Sequence, residues 1–172
     1  LQKALHDKKV PIERISKGWT HLINDGHRGF SLFAPAQRSR DRNERSIAVF
    51  AGSHGQGALL TADLFGAGFS QLVEAGLPGQ VNLLKMSHHG SRHAEPLRYL
   101  EWLKPTAVFV SAGRGNPYGF PHQQTLEACD RQWVDVFRTD TQGMLQFRIV
   151  NDRWHGTTVK EDDRVRGKPR QG

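Results

Sequence analysis

A chain of 172 residues that is 37% hydrophobic and 24% charged has the material for one compact domain with its own core and lies outside the compositional range of disordered proteins. Lys and Arg number 24 against 17 Asp and Glu, a net charge of +7, which favours a polyanionic partner such as nucleic acid or an anionic membrane surface, the plainer reading being solvated loop and end segments. The single cysteine, Cys129, excludes an internal disulfide framework, and no apolar run approaches the roughly 20 residues of a membrane helix, so no membrane contact is expected from this segment itself.

The chain opens on Leu1 without a targeting pattern and is expected to be cut from a longer protein. Residues 1–159 are expected to form one domain, and residues 160–172, with Arg164, Arg166, Lys168 and Arg170, a basic flexible tail. In chain order, Phe30–Phe33, Ser46–Ala51 and Ala58–Thr61 are short apolar or alternating runs bounded by turn residues, the signature of strands, with Gly52–Gly57 joining two of them as a hairpin. Pro35–Glu44, rich in Arg and Asp, reads as a loop. Helical spacing of Phe65, Phe69, Leu72 and Val73 predicts a helix over Phe65–Ala75, ended by Gly76 and Pro78. Val81–Met86 then reads as a buried strand, Leu97–Leu103 as a short helix and Thr106–Val110 as a β-branched strand. A helix from about Gln123 to Asp130, a strand at Val134–Phe137 and a hairpin-like pair, Met144–Val150 and Trp154–Val159, complete an α/β order: a mixed sheet with covering helices. Trp19, Trp102, Trp133 and Trp154 read as core or subcore packing.

The chemistry sits where strands end. Asp63 directly follows Ala58–Thr61, and His88-His89-Gly90-Ser91 directly follows Val81–Met86; loops at one sheet edge are where α/β proteins assemble sites. A carboxylate can bridge two metal ions, and a neutral imidazole on the next strand end completes a nitrogen and oxygen donor set suited to zinc or manganese. Asp63 and His88 fit those roles. His89 either supports His88 or is itself the ligand. Each residue also has a plainer reading: Asp63 as a cap of the following helix, the histidines as a surface pair, Ser91 and Asn116 as turn residues, Tyr118 as loop packing. The other histidines, His6, His21, His27, His54, His93 and His155, show no ligand spacing and read as surface residues.

Several separated runs carry a family resemblance. Leu59-Leu60-Thr61-Ala62-Asp63-Leu64 resembles LLTGD, Leu83 to Ser91 resembles LKVPHHGS, and Val110 to His122 resembles ISVGRNNRYGHPH. Asn43 to Val49 and Arg138-Thr139-Asp140 with Gly143 resemble the flanking N-x-x-S strand and RTDxxG turn. These are motifs of the metallo-β-lactamase domain of ComEC-type competence proteins and of related free-standing hydrolases, and the resemblance runs from about Phe30 to Phe147.

The resemblance implies a partial metallo-β-lactamase fold, an αββα sandwich, and a metal-dependent phosphodiesterase or nuclease that processes DNA during uptake. It implies Asp63, His88 and His89 at divalent zinc or manganese ions; from their places in and beside the strand-end loops, Asp63 and His122 are expected as catalytic groups and Arg114, Lys85, Asn116 and Tyr118 toward DNA. HxHxDH, the family's first metal motif, is absent from the chain, so the remaining ligands, and a two-metal site, are expected from a missing half of the same fold. Ala62 stands for the glycine before the aspartate, and Phe120 for the first histidine of HPH. Two other readings stand beside this one: a non-catalytic DNA-binding remnant, and a free-standing hydrolase of a small phosphoester or cell-wall substrate. A ComEC-type parent implies a soluble domain on the extracytoplasmic side of a bacterial inner membrane, a cytoplasmic placement being the alternative.

Overall fold

The computed structural model describes residues 15–36, 40–151 and 153–159. The expected tail from Lys160 onward, and part of the Pro35–Glu44 loop, lie outside the described residues. Seven strands lie side by side in chain order: β1 (Gly18–Asn24), β2 (Arg28–Ala34), β3 (Ala48–Ser53), β4 (Gln56–Leu60), β5 (Leu83–Lys85), β6 (Ala107–Val110) and β7 (Asp135–Arg138). β1 to β4 pair antiparallel and β4 to β7 parallel.

Turn chemistry explains the change of direction. His54 and Gly55 both take left-handed backbone, φ +49° and +74°, as a tight β3–β4 hairpin requires. Asp25 Oδ1 accepts from the amides of His27 and Arg28 and so closes the β1–β2 turn. Beyond β4 each strand returns through a helix, α1 (Gly66–Ala75), α2 (Pro96–Leu103) and α3 (Gln123–Arg131) in turn, and such crossovers make parallel neighbours. A short helix α4 (Thr139–Gln142) leads to a separate hairpin of β8 (Met144–Val150) and β9 (Arg153–Val159). The mixed α/β architecture is as expected; β1 and α4 are elements the sequence pattern did not mark.

Period-two alternation divides the sheet into two faces. Phe50, Leu59, Leu84, Val108 and Val136 pair in one row across β3 to β7 and meet Phe69 and Leu72 of α1, Tyr99, Leu100 and Leu103 of α2, and Ala128 and Cys129 of α3 in a single core. The opposite face carries the row Leu32, Val49, Leu60, Lys85, Phe109 and Phe137. Phe147 of β8 covers its β6–β7 end, its ring 5.2 Å from Phe109 and 5.3 Å from Phe137. Over β2 to β4 the described residues leave this face half-buried at Leu32, Val49 and Leu60. Trp133, expected as packing, is instead 95% exposed, on a left-handed backbone of φ +55° between α3 and β7.

Candidate functional site

Because β4 and β5 are parallel neighbours, their C-terminal ends open on one sheet edge, and hydrogen bonds sew the two following loops together. Thr61 Oγ1 donates to the Lys85 carbonyl at 2.9 Å, the His88 amide donates to the Ala62 carbonyl at 3.0 Å, and Ser87 Oγ donates to the Leu64 carbonyl at 2.6 Å. Tyr99, from α2, donates its hydroxyl to the same Leu64 carbonyl. Asp63 is therefore flanked on both sides by anchored carbonyls.

Backbone strain is concentrated here. His88 and His89 are consecutive left-handed residues, φ +48° and +55°, and Ala62 sits at φ +47°. Each costs about 1–2 kcal/mol for a residue with a Cβ, an expense typical of functional sites. Ala62 thus holds the backbone that the glycine of the resembling motif adopts freely.

The two histidines are differently placed. His89 Nδ1 lies 2.6 Å from the Ser111 carbonyl at the end of β6, and its Nε2 lies 3.8 Å from Asp63 Oδ1. A carbonyl only accepts, so the proton is assigned to Nδ1, and a neutral ring turns the Nε2 lone pair toward the carboxylate. Two electron-rich atoms then face each other at 3.8 Å, a spacing that a proton or a cation between them would relieve. A metal-ligating histidine characteristically donates its other ring N–H to a carbonyl in this way. The His88 ring lies between Phe65 and Phe120, centroids 6.1 and 5.6 Å away, with Nδ1 buried and without a hydrogen-bond partner.

The plainer reading of Asp63 as a helix cap does not apply. The first amide of α1, Gly66, is capped by Glu95 Oε2 at 3.0 Å, which leaves the Asp63 carboxylate turned to His89. Among the described residues no three His, Cys, Asp or Glu side chains gather as a metal-holding group, so the donors here fit only part of a coordination sphere.

Asp63, His88, His89, Asn116 and Tyr118 line one cleft of about 660 Å³ together with Ser111 and Phe120. Asn116 is the brace of its loop: Nδ2 donates to the carbonyls of Gly113 and Phe120, and Oδ1 accepts from the Phe120 amide. Three expected site residues do not line the cleft. His122 lies beyond Phe120, where Nδ1 accepts the Arg92 amide at 3.0 Å, and partial desolvation with the charges of Arg92 and His93 lowers its pKa. Lys85 reaches the carbonyls of Ala62 and Met86, at 3.4 and 3.3 Å, from the opposite sheet face. Burial lowers its pKa and the neighbouring Asp63 charge opposes that shift. Arg114 is exposed on the outer loop, its Nε 3.5 Å from the Asp140 carbonyl.

Sequence reasoning passed over Ser111 as an orienting group and Thr139 as a clamp. Thr139 Oγ1 accepts from the Ala112 amide and donates to the Ala112 carbonyl, which fixes the loop that carries the Ser111 carbonyl. Arg138 and Asp140 form a paired contact of 3.1 and 2.6 Å around it, and this hydrogen bonding holds the Asp140 carboxyl below its ordinary range. The RTDxxG resemblance was the available signal.

No protein-family model matches the chain. Comparison with characterised proteins gives three related similarities. The chain is 29% identical over 150 residues to ComE operon protein 3 of Bacillus subtilis, covering 87% of this chain and 19% of that protein. It is 30% identical over 124 residues to competence protein ComA of Neisseria gonorrhoeae, 70% of this chain and 18% of that one. It is 27% identical over 115 residues to recombination protein 2 of Haemophilus influenzae, 67% of this chain and 14% of that protein. The chain spans less than a fifth of the length of each of these relatives. Its relatives are thus long competence and recombination proteins, each similar to it over a limited stretch.

Proposed function

We propose that the chain is part of a metal-dependent phosphodiesterase domain, of partial metallo-β-lactamase fold, that acts on DNA in competence. The observation that carries this reading is the pair formed by Asp63 and His89, with the Nε2 lone pair aimed at the carboxylate and Nδ1 held by the Ser111 carbonyl. The competence and recombination names of the similar proteins and the net charge of +7 favour DNA as the phosphodiester.

In this reading Asp63 and His89 hold the ion, and Ser111 fixes the tautomer and angle of the imidazole. Zinc or manganese, when bound, supplies a water of lowered pKa and offsets charge on a phosphoryl oxygen. Lys85, beneath Asp63, moderates the negative charge of the carboxylate. Phe65 and Phe120 pack near the His88 ring, whose buried Nδ1 is left without a partner. His122 donates from Nε2 alone, since Nδ1 is taken, and its lowered pKa keeps it neutral near pH 7. Arg114 stays a phosphate contact at the rim. The remaining ligands come from a complementary half of the fold, whose docking covers the half-buried face at Leu32, Val49 and Leu60.

The lack of a three-residue ligand group among the described residues favours a second reading for the chain on its own, a DNA-binding module without turnover. Zinc competition against a chromophoric chelator tests the first. The wild-type chain is expected to bind zinc far more weakly than a four-ligand structural site, and Asp63→Ala to weaken it by a further tenfold or more, as loss of a ligand exceeds the roughly 10–100-fold loss for a supporting group. Zinc affinity unchanged by Asp63→Ala would refute the assignment.

A further inference from the structure

Three rings form one wall of the cleft. Tyr118 and Phe120 have centroids 5.5 Å apart with their planes at 18°, and Phe120 and His89 are 6.1 Å apart, again at 18°. The series steps inward from solvent to the imidazole that faces Asp63. Its middle ring is Phe120, where the resembling motif has His.

Tyr118 is 71% exposed, yet it is not on a loose loop. The three Asn116 hydrogen bonds tie Gly113 to Phe120 and fix the segment that presents the ring. A Cβ built at Gly115 or Gly119 would meet nothing within 4 Å, so the space around the loop is open. Arg114, exposed on the same loop, adds a positive charge to the segment, its Nε 3.5 Å from the Asp140 carbonyl. A rigid, exposed aromatic face that leads through Phe120 to the His89–Asp63 pair is an arrangement that takes a base and its phosphate together.

From this we infer that Tyr118 is a stacking platform for an unpaired nucleobase, and that the cleft takes single-stranded nucleic acid, with a base on Tyr118 and the adjoining phosphate toward Asp63 and His89. The inference rests on the proposed phosphodiester chemistry and narrows its substrate. A base inside a duplex has both faces covered by its neighbours, whereas a splayed base offers a face to an aromatic ring. Such stacking tolerates any sequence. A lipid or cell-wall phosphoester, with no base, gains nothing from the ring wall.

The test uses the full 172-residue chain with a chelator present, so that no metal is needed. Fluorescence anisotropy compares a short oligothymidylate, the same backbone with abasic sites, and a blunt duplex. The base-bearing strand is expected to bind about tenfold more tightly than the abasic strand and more tightly than the duplex. Tyr118→Ala is expected to remove that preference and Tyr118→Phe to keep it. Equal binding of base-bearing and abasic strands, binding of no strand, or an undiminished preference in Tyr118→Ala overturns the platform. If Tyr118→Ala fails to fold, the abasic comparison on the wild type decides alone. Zinc competition contains no DNA, so zinc binding without base preference defeats only the platform, while base preference without zinc binding defeats only the phosphodiesterase reading.

Discussion

Gly90→Ala is expected to lower stability by about 3 kcal/mol, summing a left-handed cost of about 1–2 kcal/mol and an overpacking cost of about 1–3 kcal/mol. Gly90 has φ +81°, and a Cβ there would lie 2.6 Å from Pro121 Cβ and 3.1 Å from Pro121 Cα. Pro121 follows Phe120, so the clash drives apart the His88–His89 loop and the loop that bears Tyr118, the two walls of the cleft. The Gly90 carbonyl also accepts from the His122 amide at 3.0 Å and Thr125 Oγ1 at 2.8 Å, which passes any shift on to the start of α3. Thermal unfolding followed by circular dichroism should show a midpoint lowered by about 9 °C. A midpoint within about 2 °C of wild type would mean that the two loops are not packed as described.

Tyr99 is expected to separate the packing of the site from its hydrogen bonding. Its side chain is fully buried, with its ring 3.9 Å from that of Phe69, while its hydroxyl shares the Leu64 carbonyl with Ser87. Tyr99→Phe leaves that carbonyl its Ser87 donor and should cost only about 1 kcal/mol. Tyr99→Ala empties a core position and should cost about 4 kcal/mol. Urea unfolding of the two variants checks the ratio. Equal losses would place the whole contribution in the hydroxyl and contradict the shared acceptor.

The positions of Asp63 and the histidine pair were legible because apolar runs stop at them, and an apolar run that ends in a polar residue marks a strand end. Which histidine faces Asp63 was not legible. His88 and His89 are chain neighbours, and the choice is made by two successive left-handed residues and by Ser111, 22 residues away from His89. Nor was the partner of His122 legible: its Nδ1 accepts from the Arg92 amide, 30 residues distant, which no local pattern reveals.

β1 was missed because a bulge between His21 and Ile23 breaks the two-residue alternation on which strand recognition depends. Trp133 was expected inside because indole area favours burial, but a left-handed backbone turns it to solvent. The runs of β2 and β3 are apolar on both sides, Phe33 and Phe50 toward the helices and Leu32 and Val49 away from them. That is the pattern of a strand covered on both faces, whereas the described residues cover only one there.

The most direct test of the Asp63–His89 pair is a histidine-ring correlation of proton and nitrogen-15 by NMR, recorded at mildly alkaline pH with and without zinc. Without zinc, His89 is expected to carry its proton on Nδ1 and a bare Nε2; on adding zinc, the His89 Nε2 signal should move, and in Asp63→Ala it should move much less. A His89 ring protonated at Nε2, or a zinc response confined to His88, would contradict the assignment.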